Sequence, residues 1–159
     1  MTPNVVILMG SKADLAHAQK IAEACAILGL ETTLRIGSAH KTPAHVLALL
    51  NAYEEDPHPK VYITVAGRSN GLSGFVDGAV SSPVIACPPI GEAYGGVDIY
   101  SSLRMPSGIA PGVVLDPGNA ALLAAKIIGL SDPVIRAKVT DYQANQASRI
   151  LQDDAGEIK

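Results

Sequence analysis

Thr32-Thr33-Leu34-Arg35-Ile36-Gly37-Ser38-Ala39-His40-Lys41-Thr42-Pro43 decides the architecture of this 159-residue chain. Thr32 to Ile36 reads as a strand. Thr42 and Pro43 supply the cap and first residue of a helix carrying Val46, Leu47, Leu49 and Leu50 up to Tyr53. Between them stand a hydroxyl, an imidazole and a cation within four residues. The same pattern recurs on both sides. Val5-Val6-Ile7-Leu8-Met9 is an unbroken apolar run, as expected of a strand covered on both faces. It stops at Gly10-Ser11-Lys12-Ala13-Asp14, and a helix follows over Ala13–Leu28, closed by Gly29. Val61 to Ala66 forms a third strand and ends at Gly67-Arg68-Ser69-Asn70-Gly71. Val84–Cys87 and Gly112–Leu115 read as the fourth and fifth strands. Further helices are expected over Asn119–Leu130 and Pro133–Leu151, with a frayed polar tail from Gln152 to Gly156.

Strands alternating with helices specify an α/β chain: a parallel five-stranded sheet with helices on both faces, in one domain over residues 1–159. The strand-end loops then meet at one sheet edge, where open α/β folds bind ligands. Residues 67–111 are dense in Gly and Pro and read as loops that bring backbone close to a ligand or another subunit. The final helix has no sheet position left to cover. It packs either within its own chain or against a neighbour.

Composition narrows the function. Hydrophobic residues make up 48% of the chain, yet Trp is absent and Phe75 is the single Phe, so the core is aliphatic. The formal charge of −3 and the lack of a basic stretch argue against a nucleic-acid partner. No apolar run approaches the roughly 18 residues of a membrane span. No charged leader precedes Val5, and the chain reads as cytoplasmic. Cys25 and Cys87 lack metal-ligand spacing and read as reduced, buried thiols. His17 and His45, on helices, are expected to be exposed. His58 sits in a loop between prolines. None of the three receives a function, and no metal site is expected.

Each strand-end loop has a plain structural reading beside a chemical one. Ser11 with Asp14 is a capping-box pair. Gly10 and the helix-start amides also admit an anion. The loop is neither a Walker loop nor a dinucleotide fingerprint. Thr42-Pro43 is a helix cap, which leaves Ser38, His40 and Lys41 unexplained. Ala66 to Gly74 is either a glycine-rich turn before a short helix or an anion-binding surface of main-chain N–H groups. Met105-Pro106 offers a rigid apolar cover for a flat ring, a packed loop or a subunit contact. Together the loops suit a small phosphorylated sugar-like ligand and one proton transfer, with His40 as the proton carrier.

Gly10-Ser11-Lys12-Ala13-Asp14, Ser38-Ala39-His40-Lys41-Thr42-Pro43, Ala66-Gly67-Arg68-Ser69-Asn70 and Met105-Pro106-Ser107-Gly108-Ile109 resemble, in order and spacing, the phosphoribosylaminoimidazole carboxylases of purine biosynthesis. The resemblance covers roughly residues 4–150. It implies a three-layer, flavodoxin-like, doubly wound parallel five-stranded sheet with an extra C-terminal helix, assembled as a homo-octamer. It implies His40 as the acid–base residue, with Ser11, Ser38 and Lys41 around the ribose phosphate and Asp14 on the ribose hydroxyls. Gly67, Ser69, Asn70 and Gly71 would line the base and carboxylate pocket, completed by Gly10, Ala39, Ala66, Leu72 and Met105. Ser69 and Asn70 would hydrogen-bond the new carboxylate. The family's mutases carry Arg after the catalytic histidine and a Gly-Gly-Ala-Ala-His third loop. Lys41 and Arg68-Ser69-Asn70 resemble instead the carboxylases that take free carbon dioxide without ATP, biotin, metal or other cofactor. Lys41 lacks the two-pronged fork of Arg, so Ser11, Ser38 and backbone amides must share more of the phosphate. The rival readings are the mutase, a non-catalytic phosphate-sugar sensor and, more remotely, a flavin carrier.

Overall fold

The apolar runs pair side by side in the computed structural model, which describes residues 4–157. Five parallel strands, β1 (Asn4–Met9), β2 (Glu31–Ile36), β3 (Lys60–Val65), β4 (Val84–Ala86) and β5 (Gly112–Val113), lie in the order β2-β1-β3-β4-β5. This is the flavodoxin-like order, with its switch point between β1 and β3. The helices are α1 (Leu15–Ile27), α2 (Pro43–Glu54), α3 (Gly71–Ala79), α4 (Tyr100–Leu103), α5 (Pro117–Ile128) and α6 (Pro133–Glu157).

Side chains alternate across each strand, so a continuous apolar run feeds two cores at once. Val5, Ile7 and Met9 of β1 join Val61, Ile63 and Val65 of β3 against Ile21 and Cys25 of α1. The buried alanines of α5 (Ala120, Ala121, Ala124, Ala125) let that helix lie close on the same face. Val6, Leu8 and Tyr62 point the other way and meet Val46 and Leu50 of α2 with Leu72 and Val76 of α3. Each of these large apolar side chains contributes about 1.5–3 kcal/mol by leaving water. The first turns of α6 pack within the chain through Ile135 and Val139, while Ile150 and Leu151 are exposed.

The structure departs from the sequence reading in three places. Helix α3 occupies part of the Gly/Pro-dense segment, followed by a 3-10 turn over Ala93–Ile99 and the short α4. Leu72 and Val76 are buried, and packing overrides the weak helix propensity of the glycines. The first helix is split, with a 3-10 turn over Lys12–Asp14 before α1. The tail expected to fray continues α6 through Glu157.

Polar groups at the amino end of the sheet anchor it. Tyr62 OH and Ser82 Oγ each donate to Glu54 Oε1 at 2.9 Å, and Ser81 N–H and Oγ reach Oε2 at 3.4 Å. Lys60 Nζ donates to the carbonyls of Asp56 and His58 at 2.6 and 2.8 Å. Burial opposes ionisation of Glu54, but the donors from Ser82, Tyr62 and Ser81 and the Lys60 charge outweigh it and hold the carboxyl below its usual range. A depressed carboxyl stabilises the fold above the unfolded-state value near about pH 4.3, and this is lost as pH falls through the native value. Glu54→Gln should therefore be less stable than the wild type by a fixed amount above about pH 5, and the gap should close on acidification. Urea unfolding across pH 3–7 checks this.

Candidate active site

The carboxyl ends of β1, β2, β3 and β4 open into a cleft of about 680 Å³ at the switch point. Gly10 N–H donates to Val65 O at 2.9 Å, and Gly37 N–H to Met9 O at 2.9 Å. These bonds continue the sheet ladder past the strand ends and fix where each loop begins.

The first loop is tied by its acidic residue. Asp14 Oδ2 accepts from Ser11 N–H at 3.0 Å and from Ser11 Oγ at 3.1 Å. The capping pair and the pair expected to meet a ligand are thus the same two side chains, with Asp14 Oδ1 left over for an outside donor. The second loop closes on itself. Thr42 Oγ1 accepts from Ser38 N–H at 3.0 Å and donates to Ser38 O at 3.3 Å, while Ser38 Oγ accepts from Lys41 N–H at 3.2 Å. Ser38 keeps its hydroxyl proton for a ligand. His40 stands at the tip of this turn, exposed.

The third loop crosses to the neighbouring helices. Arg68 has φ +60°, a left-handed conformation that a non-glycine residue adopts at a cost of about 1 kcal/mol. Its N–H donates to Asp98 Oδ2 at 3.3 Å. Asn70 is 3% exposed and caps α3. Its Oδ1 accepts from Ser73 N–H (3.1 Å) and Ser73 Oγ (2.8 Å), and its Nδ2 donates to Ser102 Oγ at 2.9 Å. Asn70 N–H donates to Ser101 Oγ at 2.9 Å. These bonds tie the side chain to the fold and leave one Nδ2 hydrogen of Asn70 unused. Ser69 is exposed in the cleft, and the first two helix amides, of Gly71 and Leu72, have no protein acceptor among the described residues.

Of the expected site residues, Gly10, Ser11 and Asp14 share the cleft with Ser38, Ala39, His40 and Lys41 and with Ala66, Gly67, Ser69 and Leu72. Asn70, Gly71 and Met105 line an adjoining hollow of about 320 Å³, in which Ser69 takes part. The remaining cleft wall comes from Ala13, Arg68, the Pro89–Glu92 segment and Asp98. Sequence reasoning did not assign Glu92 or Asp98. They follow a strand end, as Ser38 and Ser69 do, but Asp98 lies within the 3-10 segment Ala93–Ile99, well past the end of β4 at Ala86.

His17 corrects an expectation. It is half-buried rather than exposed, with Nε2 3.5 Å from Cys87 Sγ. Burial holds its imidazole below the ordinary histidine range. Burial also pushes the Cys25 and Cys87 thiols up to about 12, so both are free, protonated and buried. Among the described residues no three His, Cys, Asp or Glu side chains are placed to hold a metal ion.

The AIR carboxylase family profile matches residues 4–149. Phosphoribosylaminoimidazole carboxylase of Treponema denticola is 56% identical over 155 residues, 98% of each chain. That of Archaeoglobus fulgidus is 52% identical over 149 residues, 94% of this chain and 82% of its own. The bifunctional phosphoribosylaminoimidazole carboxylase/phosphoribosylaminoimidazole succinocarboxamide synthetase of Homo sapiens is 46% identical over 94% of this chain, which spans 35% of that protein. The crystal structure of Treponema denticola PurE superimposes with a TM-score of 0.97 at 54% identity, covering 99% of each chain.

The Asn70 geometry carries a prediction. Asn70→Ala removes the α3 cap and the link to Ser102 and should lower the unfolding free energy by about 2–4 kcal/mol. Ser69→Ala, one residue away but exposed, should change it by no more than about 0.5 kcal/mol. Urea denaturation of the two variants tests the contrast.

Proposed function

Because the chain belongs to the AIR carboxylase family, we propose that it joins carbon dioxide to the ring carbon of 5-aminoimidazole ribonucleotide, giving the 4-carboxy product of purine biosynthesis. The reaction uses free carbon dioxide and needs no ATP, biotin or metal. Lys41 and the Arg68-Ser69-Asn70 loop support this over the mutase reading. The observation that carries the proposal is convergence: His40, the Ser11–Asp14 pair and Ser38 line one cleft at the sheet's switch point.

In this reading the phosphate sits against Ser11, Ser38 and Lys41, and Asp14 Oδ1 accepts from a ribose hydroxyl. The amino group feeds electron density into the imidazole, so the ring carbon is already nucleophilic. Its electron pair forms the new bond to carbon dioxide, and one C=O pair moves onto oxygen. The ring carbon then carries both hydrogen and carboxylate. His40 takes that proton, and the C–H pair restores the aromatic ring. Held contact between ring and carbon dioxide supplies several kcal/mol of the acceleration, and the imidazole adds about 10²–10⁴-fold. The developing carboxylate falls to Ser69 Oγ, the unused Nδ2 hydrogen of Asn70 and the N–H groups of Gly71 and Leu72, at the positive end of α3.

The same proposal has the chain assemble as a homo-octamer and work in the cytoplasm. Tyr100 and Leu103, near the cleft, and Ile150 and Leu151 on α6 are more than half exposed, which supports burial against further copies. Among the described residues no helix is long and apolar enough to cross a membrane.

His40→Asn should bind the ribonucleotide with near wild-type affinity and lose at least about 10²-fold in turnover. The wild type should convert the aminoimidazole ribonucleotide with dissolved carbon dioxide and leave the N-carboxylated isomer unchanged. Conversion of the isomer alone would assign the mutase reaction, and tight binding without turnover of either would assign a sensor. Light scattering on the purified protein should give an octameric mass for the 16.4 kDa chain.

A further inference from the structure

Gly71 opens α3, and its φ is not in the left-handed region, where the positive-φ glycines are Gly29, Gly95, Gly96 and Gly108. Backbone conformation therefore does not call for glycine at this position. Helix propensity argues against it, since glycine is about 0.5–1 kcal/mol worse than alanine within a helix. Space supplies the reason. A Cβ built on Gly71 would fall 2.9 Å from both Cε1 and Nε2 of His40. Ordinary carbon contacts settle at about 3.5–4.0 Å. The nitrogen edge of the imidazole thus rests where any other residue would put its side chain.

The backbone on either side of this contact is tied down. His40 rides on a turn closed by the Ser38–Thr42 bonds. Asn70, just before Gly71, is anchored to Ser73, Ser101 and Ser102. Moving the turn or the helix start breaks these hydrogen bonds, those of Asn70 to Ser73 and Ser102 being buried, whereas the imidazole is an exposed side-chain end, so an added methyl group is relieved by the imidazole itself.

We propose that Gly71 is a positioning residue, whose missing side chain lets the Nε2–Cε1 edge of His40 seat against the first turn of α3. This rests on the reading of His40 as the proton carrier. It adds a requirement of shape: the ring must occupy the volume that a Cβ would take. In Gly71→Ala the ring retreats by about 0.6–1 Å, a displacement of the size that can cost about 10²-fold in rate.

The test compares purified full-length Gly71→Ala, His40→Asn and wild type in three measurements: carboxylation kinetics with the aminoimidazole ribonucleotide, ribonucleotide affinity by calorimetry, and thermal unfolding. Gly71→Ala is expected to lose about 10²-fold in kcat, with ribonucleotide affinity within about threefold of wild type. Its melting temperature should be unchanged or higher, because alanine favours the helix. The imidazole nitrogen NMR signals of His40 should shift, while those of His17, His45 and His58 stay fixed. A Gly71→Ala enzyme with wild-type kcat beside an inactive His40→Asn overturns the proposal and leaves the reading of His40 standing. An active His40→Asn overturns that reading and the proposal with it. Loss of melting temperature and ribonucleotide affinity together in Gly71→Ala overturns the proposal in favour of a structural role.

Discussion

The parallel pairing of β1 with β3 is the constraint on which the site depends. Both strands are buried on both faces, six residues of each are in register, and the ladder runs on through Gly10 N–H to Val65 O. Because the chain leaves β1 toward α1 on one face and β3 toward α3 on the other, the two following loops separate above the sheet. The cleft is the gap between them. A one-residue slip would exchange the two cores and move both loops at once, so hydrophobic register fixes the geometry of the polar site.

Beneath the cleft the polar groups are arranged for order rather than for ligand. Asn70, Ser73, Thr64, Ser101 and Ser102 form a connected set, with Thr64 Oγ1 2.7 Å from Ser73 Oγ. No buried side-chain nitrogen or oxygen among the described residues lacks a partner. A fully satisfied network of this kind makes its surroundings rigid. The groups exposed above it are Ser69 and His40. One loop thus carries both the buried anchor, Asn70, and the cleft-exposed hydroxyl of Ser69 on adjacent residues.

Much of this was legible in the chain. Continuous apolar runs gave a covered parallel sheet, and the polar loops after Met9, Ile36 and Val65 gave the cleft edge. Ser11, Asp14, Ser38 and His40 are found together because strand-end loops of a parallel sheet meet at one edge. What local pattern could not carry is direction. Asn70 and Ser69 look equivalent in sequence, yet one is buried and one exposed, because the helix start turns the backbone between them. His17 reads as a solvated helix residue, but its partner Cys87 lies seventy residues on. The short helix offered after the glycine-rich turn is α3, but its start at Gly71 was obscured by its own glycines, since packing stabilises it rather than propensity.

Those glycines reach further than the imidazole. A Cβ at Gly74 would meet Met105 Sδ at 3.1 Å, and one at Gly78 would meet Ile109 Cδ1 at 3.0 Å. The nine-residue helix is a poor autonomous former, with three glycines together worth about 1.5–3 kcal/mol against it. It borrows its order from the Asn70 cap and from the Met105–Ile109 segment laid along it. The two pieces therefore gain and lose structure as one cooperative unit.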